Sequence, residues 1–314
     1  MARQRKKRGR NISGIFILDK PTGISSNGAL QHVKRLFNAN KAGHTGNLDV
    51  PASGLLPICL GEATKVSAYL LDSNKTYQAR CKLGVITSTG DAAGEVVNSH
   101  EIPRITEAEL QNILEKFIGE IQQTPPMYSA LKQNGKRLYE LAYQGVEVER
   151  KARNITIHSI KLLNFNHDEF EMNVSCSKGT YIRTLAEDIG REMGCGAHIL
   201  TLRRLAAGPF KESQMVNQKE LQSVAEQGLQ QLDNLLLPID TALMEFPEVR
   251  LSEDTAYYLS LGQTVTVSGL PETGRLRIYN DSEQFLGLGE VSDDGRLSPK
   301  RLINKEENQL DRQS

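Results

Sequence analysis

Between Asn38 and Pro57 the chain reads NANKAGHTGNLDVPASGLLP, a run that no regular element accounts for. It is rich in Gly, Asn, Ser and Pro, and it has neither the period of a helix nor the alternation of a strand. A long irregular segment inside an otherwise regular domain is often functional. One carboxylate, Asp49, sits in it, with His44 and Thr45 before it and Gly43, Gly46 and Gly54 around it. Glycines let backbone approach a ligand closely, and loops present polar groups that a sheet would bury. On loop composition alone, Asp49 can equally be an acid that caps a turn. No second acid lies near it in sequence, so a paired-carboxylate glycosidase arrangement is not evident. No His-x-x-x-His or similar spacing is present, and a metal site is unsupported.

The flanks are regular. Ile15 to Leu18 read as a short buried strand that ends in the turn Lys20-Pro21-Thr22-Gly23. Ser25 or Ser26 can cap a helix whose apolar positions Ala29, Leu30, Val33, Leu36 and Phe37 share one face. Glu62 to Leu71 read as helical, and Thr76 to Leu83 as a strand with Tyr77, Ala79, Cys81 and Leu83 on one side. Thr106 and Glu109 form a capping box that starts a helix. Ile155–Leu163 and Phe170–Cys176 read as strands, Tyr181–Met193 and Gln218–Leu236 as helices. Beyond Pro238 and Pro247, short strands at Gln263–Val267, Leu276–Tyr279 and Phe285–Glu290 indicate a small β-rich terminal domain.

Composition narrows the function class. No apolar run approaches the roughly 20 residues needed to span a bilayer. The basic N-terminus precedes only the short run Ile15–Leu18, too brief for a signal peptide, so a cytoplasmic protein is expected. Cys59, Cys81, Cys176 and Cys195 lack zinc-knuckle or redox spacing and read as small buried hydrophobes in a reducing compartment. Formal net charge is zero, but its distribution is uneven. Arg3, Arg5, Lys6, Lys7, Arg8 and Arg10 fall in the first ten residues, leaving 32 basic against 38 acidic residues in the rest. A basic arm on a mildly acidic body suits RNA contact, and equally a solubilising tail.

Two more blocks carry chemistry. In VSCSKGTYIRTLAEDIG a strand, a Gly turn and a helix bring Lys178, Tyr181 and Arg183 to one strand end. Arg183 is suited to pair with a carboxylate and hold it ionised. In QTPPMYSALKQNGKRLYELAYQG, Tyr128, Lys132, Lys136, Arg137 and Tyr139 interleave aromatics with bases, which suits a stacked, phosphate-bearing single strand. A solvated basic helix explains that block as well.

The segments LDKPTGISSN, AGHTGNLDVPASGLLPICLGEATK, KTY, PPMYSALK with GKRLYE, and CSKGTYIRTLAEDIG followed by CGAHILTLRRL occur here in a fixed order. In that order they resemble the bacterial TruB family of tRNA pseudouridine-55 synthases, from about Gly14 to Phe210 and more weakly in the terminal segment. The resemblance implies an α/β (α+β mixed sheet) catalytic domain with its active site in a cleft across the sheet. To this it adds a small β-rich, PUA-like C-terminal domain that binds RNA. The expected organisation is a basic arm over 1–13, the catalytic domain over 14–247 and the PUA-like domain over 248–314, where Arg275, Arg277, Lys300 and Arg301 are the expected RNA contacts.

Residue by residue, Asp49 matches the family's catalytic aspartate and His44 the histidine of its substrate loop. Tyr77 matches the tyrosine that stacks on the target base, and Arg183 the arginine paired with the aspartate. Tyr181 and Leu202 match further pocket positions, and Lys20 and Pro21 a motif that supports the loop. The chain departs from the pattern at Val50-Pro51, where the family usually has Pro directly after the aspartate. Asn47 stands where Thr or Ala is usual, and Tyr143 where Arg is usual. The implied activity is isomerisation of one uridine in the T-loop of tRNA, with the T-arm as partner and no cofactor, metal, membrane or obligatory protein partner. A monomer is expected. An RNA-folding factor on the same surface is the alternative, alone or alongside catalysis. A sugar-bond hydrolase is disfavoured by the missing second carboxylate.

Overall fold

The computed structural model describes residues 9–304, so Arg3, Arg5, Lys6, Lys7 and Arg8 of the basic arm lie outside the described residues. Arg10 is within them, and it pairs with Asp233 and donates to the Phe37 carbonyl. The described residues fall into two units, one of 9–48, 56–71 and 208–304, the other of 49–55 and 72–207.

In the first unit the apolar sequence GIFILDK makes the strand Gly14–Lys20, which pairs in parallel with Val216–Asn217. The helix Ser26–Leu36 follows, and the Ser25 hydroxyl caps it by accepting from Gly28 N–H at 3.0 Å. Its buried face, Ala29, Leu30 and Val33, packs in one cluster with Phe16, Phe37, Leu56, Ile58, Leu60, Leu221 and Leu232. The strand Ala42–His44 runs antiparallel to the end of the strand Ser53–Leu60, with His44 opposite Ile58.

The same unit holds a four-stranded sheet of Glu248–Leu251, Gly274–Asn280, Phe285–Val291 and Leu297–Leu302. Lys65 donates to the Leu302 carbonyl at 2.8 Å, and Asn304 N–H to Glu62 at 2.8 Å, tying that sheet to the 3-10 turn Gly61–Lys65.

The second unit is built around the strand Lys75–Leu83, flanked by antiparallel strands Glu169–Cys176 and Ala197–Ala207. Arg153–Asn166 and Gly119–Gln123 extend it on one side. On the other, Arg203 and Arg204 pair in parallel with Ser53 and Gly54. Ala79, Cys81 and Leu83 are buried with Phe170, Met172, Val174, Leu185, Ile189, Leu110 and Leu114. The sheet is mixed and helices pack on it, as expected, and all four cysteines are free and buried. The Thr106–Glu109 capping box is formed. Among the described residues no helix is long and apolar enough to cross a membrane.

Three local expectations fail, and a fourth holds in two pieces. The run 38–57 contains the strand Ala42–His44 and most of Ser53–Leu60, whose residues from Gly54 onward are all buried, so that no alternation survives to be read. Gln218–Leu236 is two helices, Gln218–Glu226 and Leu229–Asp233, because Gly228 takes φ +114°, which no helix accepts. Glu62–Leu71 is helical as expected, in two pieces: the 3-10 helix Gly61–Lys65 and the α-helix Ser67–Asp72. Gln263–Val267 forms no strand; only Val265 bridges to Leu297.

Candidate active site

Asp49 follows the first unit's loop and opens a turn, with Ala52 N–H donating to the Asp49 carbonyl at 3.1 Å. Its carboxylate Oδ2 lies 3.0 Å from Arg183 Nε. The Asp49 side chain is 38% exposed and that of Arg183 only 6%, so a solvent-facing acid rests on a buried cation. Arg183 sits in the first turn of the helix Ile182–Glu192. Its other donors are fixed by backbone: Nη1 gives to the Thr89 carbonyl and Nη2 to the Tyr128 carbonyl, both at 2.7 Å. A guanidinium has the planar fork needed to meet three acceptors at once.

A second carboxylate is present, which the sequence reading missed. Asp91 Oδ2 lies 3.9 Å from the same Arg183 Nε. Asp91 is oriented by the Thr89 hydroxyl at 2.6 Å and by Ala93 N–H at 3.0 Å. Asp49, Asp91 and Arg183 line a small cavity together with Pro51, Ala52, Ala92, Ile199, Leu200 and Leu202. Its volume is about 20 Å³, roughly the space of one water. Leu202 thus lines the same cavity as Asp49.

Tyr77 and Tyr181 lie in the same unit. Tyr77 is the third residue of the strand Lys75–Leu83, between Val174 on one neighbour and Arg204 on the other. Arg204, almost wholly buried, gives Nε to the Leu55 carbonyl at 2.6 Å. Burial pushes the Tyr77 phenol above its ordinary pKa, more than the Arg204 charge pulls it down. Tyr181 precedes the Ile182–Glu192 helix, and its backbone exchanges hydrogen bonds with the Gln123 side chain, at 2.8 and 3.1 Å. Its phenol is also raised, chiefly by burial.

His44, Lys20 and Pro21 belong to the first unit. His44 ends the strand Ala42–His44 and is partly buried. Lys20 is fully buried, and its ammonium donates to the carbonyls of Pro21 at 2.9 Å and Ile24 at 2.8 Å. It folds the turn after the first strand onto itself.

The basic, aromatic block forms the small hairpin Lys132–Gln133/Lys136–Arg137 and the short helix Leu138–Ala142. Tyr143 packs edge-on against Tyr128 and Tyr139, at 5.6 and 6.3 Å between ring centres. In the terminal sheet the expected cations are mostly engaged. Arg277 is 11% exposed and bonds to Phe246 and Tyr279, while Arg275 and Lys300 both face Glu290.

The fold is shared with solved structures of a Cbf5-Nop10-Gar1 complex (24% identical, TM-score 0.73, 95% of this chain and 87% of that chain). It is also shared with an H/ACA RNP bound to a substrate RNA containing 2'-deoxyuridine (22% identical, TM-score 0.72, 98% and 93%). At those identities the likeness is one of fold. Sequence is more specific. Residues 34–182 match the TruB family pseudouridylate synthase N-terminal domain. Residues 183–244 match the tRNA pseudouridylate synthase B C-terminal domain, and 247–303 the pseudouridine synthase II TruB C-terminal domain.

Fold and sequence together are thus those of the pseudouridylate synthase class. Within that class the chain belongs to the TruB family. It is similar to tRNA pseudouridine synthase B of Nitrosococcus oceani, 53% identical over 96% of this chain and 98% of that protein. The proteins of the same name from Yersinia pestis (49%, 95% and 94%) and Coxiella burnetii (48%, 94% and 96%) are similar over the same extent.

Proposed function

We propose that this protein isomerises uridine to pseudouridine in the T-loop of tRNA, at position 55, and that Asp49 is its catalytic carboxylate. The observation that carries the reading is the 3.0 Å pair of Asp49 with the buried Arg183, in a chain about half identical to the tRNA pseudouridine synthases B. The reaction breaks the bond between uracil N1 and ribose C1', turns the base and closes C1' onto C5. The C5 proton leaves and N1 gains one, so atoms balance with no cofactor. An ionised carboxylate is needed to open the glycosidic bond, and a guanidinium at hydrogen-bond distance favours that form. The target uridine is stacked within a folded loop, and flipping it out costs a few kcal/mol. The Tyr77 ring is the platform that offsets part of this by stacking, about 1–3 kcal/mol. His44 takes the space the base leaves. Tyr181 and Leu202 bound the pocket, and Lys20 with Pro21 supports the loop from its base.

In this reading the T-arm lies along the catalytic domain over 14–247, with the PUA-like segment 248–314 adding affinity and the basic arm hastening association. The protein acts as a monomer in the cytoplasm and needs no protein partner. The test is incubation of purified protein with an unmodified tRNA transcript, followed by mapping of pseudouridine. A single pseudouridine in the T-loop is expected; none, or modification elsewhere only, contradicts the proposal.

A further inference from the structure

Proline directly after an aspartate would restrain the aspartate backbone, and in this chain the proline comes one residue later. Something else has to hold Asp49. Upstream of it, the fully buried Ser26 makes two bonds to one residue. Its hydroxyl donates to the Leu48 carbonyl at 3.0 Å and accepts from Leu48 N–H at 2.8 Å. The Leu48 carbonyl and the Asp49 N–H belong to one planar peptide unit, so fixing the first fixes the second. The Leu48 N–H belongs to the peptide before, so both planes flanking residue 48 are held by one oxygen. Downstream, Ala52 N–H holds the Asp49 carbonyl at 3.1 Å.

From this geometry we infer that Ser26 is a positioning residue for the reaction, a two-way clamp that sets the backbone from which Asp49 reaches its carboxylate. The inference rests on the reading of Asp49 as the catalytic carboxylate. Ser26 is well placed for the task because its own position is rigid. It is the first residue of the helix Ser26–Leu36, which Ser25 caps, and the turn before that helix is folded by the buried Lys20. The clamp has no slack: Leu48 is itself buried, and removal of the hydroxyl leaves its donor and its acceptor both unmatched. Ser25 supplies the matching control, since its hydroxyl serves the same helix end but bonds to Gly28 and not to the loop.

The experiment compares wild type, Ser26→Ala, Ser26→Thr and Ser25→Ala by steady-state turnover of a tRNA transcript, tRNA affinity and thermal melting. Ser26→Ala is expected to lower kcat by roughly 10- to 100-fold, the penalty of a displaced catalytic group, with KM and tRNA affinity within a few-fold of wild type. Ser26→Thr, which keeps the hydroxyl, restores most of the rate. Ser25→Ala lowers Tm and leaves kcat unchanged. A wild-type kcat in Ser26→Ala overturns the inference, as does an equal loss of kcat in Ser25→Ala, which would trace the effect to helix stability. Ser26→Cys, of similar volume but weak in hydrogen bonding, carries the same test if the alanine chain does not fold. Absence of turnover in wild type refutes the assigned activity rather than the clamp.

Discussion

Arg183 meets the Asp49 carboxylate with Nε at 3.0 Å while its Nη1 and Nη2 are held by the Thr89 and Tyr128 carbonyls at 2.7 Å. The guanidinium is thus a fixed bracket rather than a mobile counter-ion. A lysine in its place keeps the charge but cannot serve three acceptors in one plane. Arg183→Lys is expected to lower kcat by about 100-fold, as for a carboxylate displaced by an ångström, with tRNA affinity nearly kept. Single-turnover kinetics checks this, and a rate within a few-fold of wild type contradicts it.

Asp91 shares that bracket at 3.9 Å and is less exposed than Asp49. Attraction at such a spacing is about 1–4 kcal/mol between water-like and surface-like dielectric, so its loss loosens Arg183 without removing the reacting group. Asp91→Asn is expected to slow turnover roughly tenfold, a cost of about 1.4 kcal/mol. Complete loss would put Asp91 in the chemistry, and an unchanged rate would make it a bystander.

The stacking proposed for Tyr77 needs its ring and not its hydroxyl. Burial raises the phenol pKa further above neutrality, and the contribution to binding proposed for Tyr77 is that of its ring. Tyr77→Ala is expected to cost about 1–3 kcal/mol in binding a T-arm with its uridine flipped out, and Tyr77→Phe far less. If Phe binds well yet turns over slowly, the hydroxyl handles a proton in the reaction. Equal affinity and rate for Tyr, Phe and Ala would remove Tyr77 from the site.

Sequence made some of this legible and hid the rest. Capping signals at Ser25 and at Thr106 with Glu109 are local, and both helices start where these residues place them. Tyr77, Ala79, Cys81 and Leu83 alternate because the strand Lys75–Leu83 buries one face in the core. The pairing of Asp49 with Arg183 is not local; only the order of the sequence blocks pointed to it. Asp91 was passed over because it sits in a turn-rich run with no basic partner nearby in sequence, and the cation it faces is the distant Arg183. Arg204 lay within a quoted block, but nothing in LTLRRL separates a buried arginine from a surface one. The strand Ser53–Leu60 was hidden by its own burial.

Lys75 yields a prediction about stability. Burial and the Arg204 charge lower its pKa to about 8 in the folded protein, against an ordinary 10.5. The charged form is therefore penalised in the folded state. The penalty is fully present below pH 8 and is relieved as pH rises from 8 towards 10.5. Lys75→Met removes it at every pH. Relative to Lys75→Met, wild type should gain stability across that window, measured as the difference in denaturant midpoints. A difference that stays constant with pH would contradict the assignment.

Asp49→Asn tests the central claim most directly. The amide keeps the shape of the side chain and loses its charge and basicity. Pseudouridine formation on an unmodified tRNA transcript, measured alongside tRNA affinity, is expected to vanish while binding stays within a few-fold of wild type. Substantial turnover by Asp49→Asn protein free of wild-type contamination would show that the carboxylate held by Arg183 is not the group that opens the glycosidic bond.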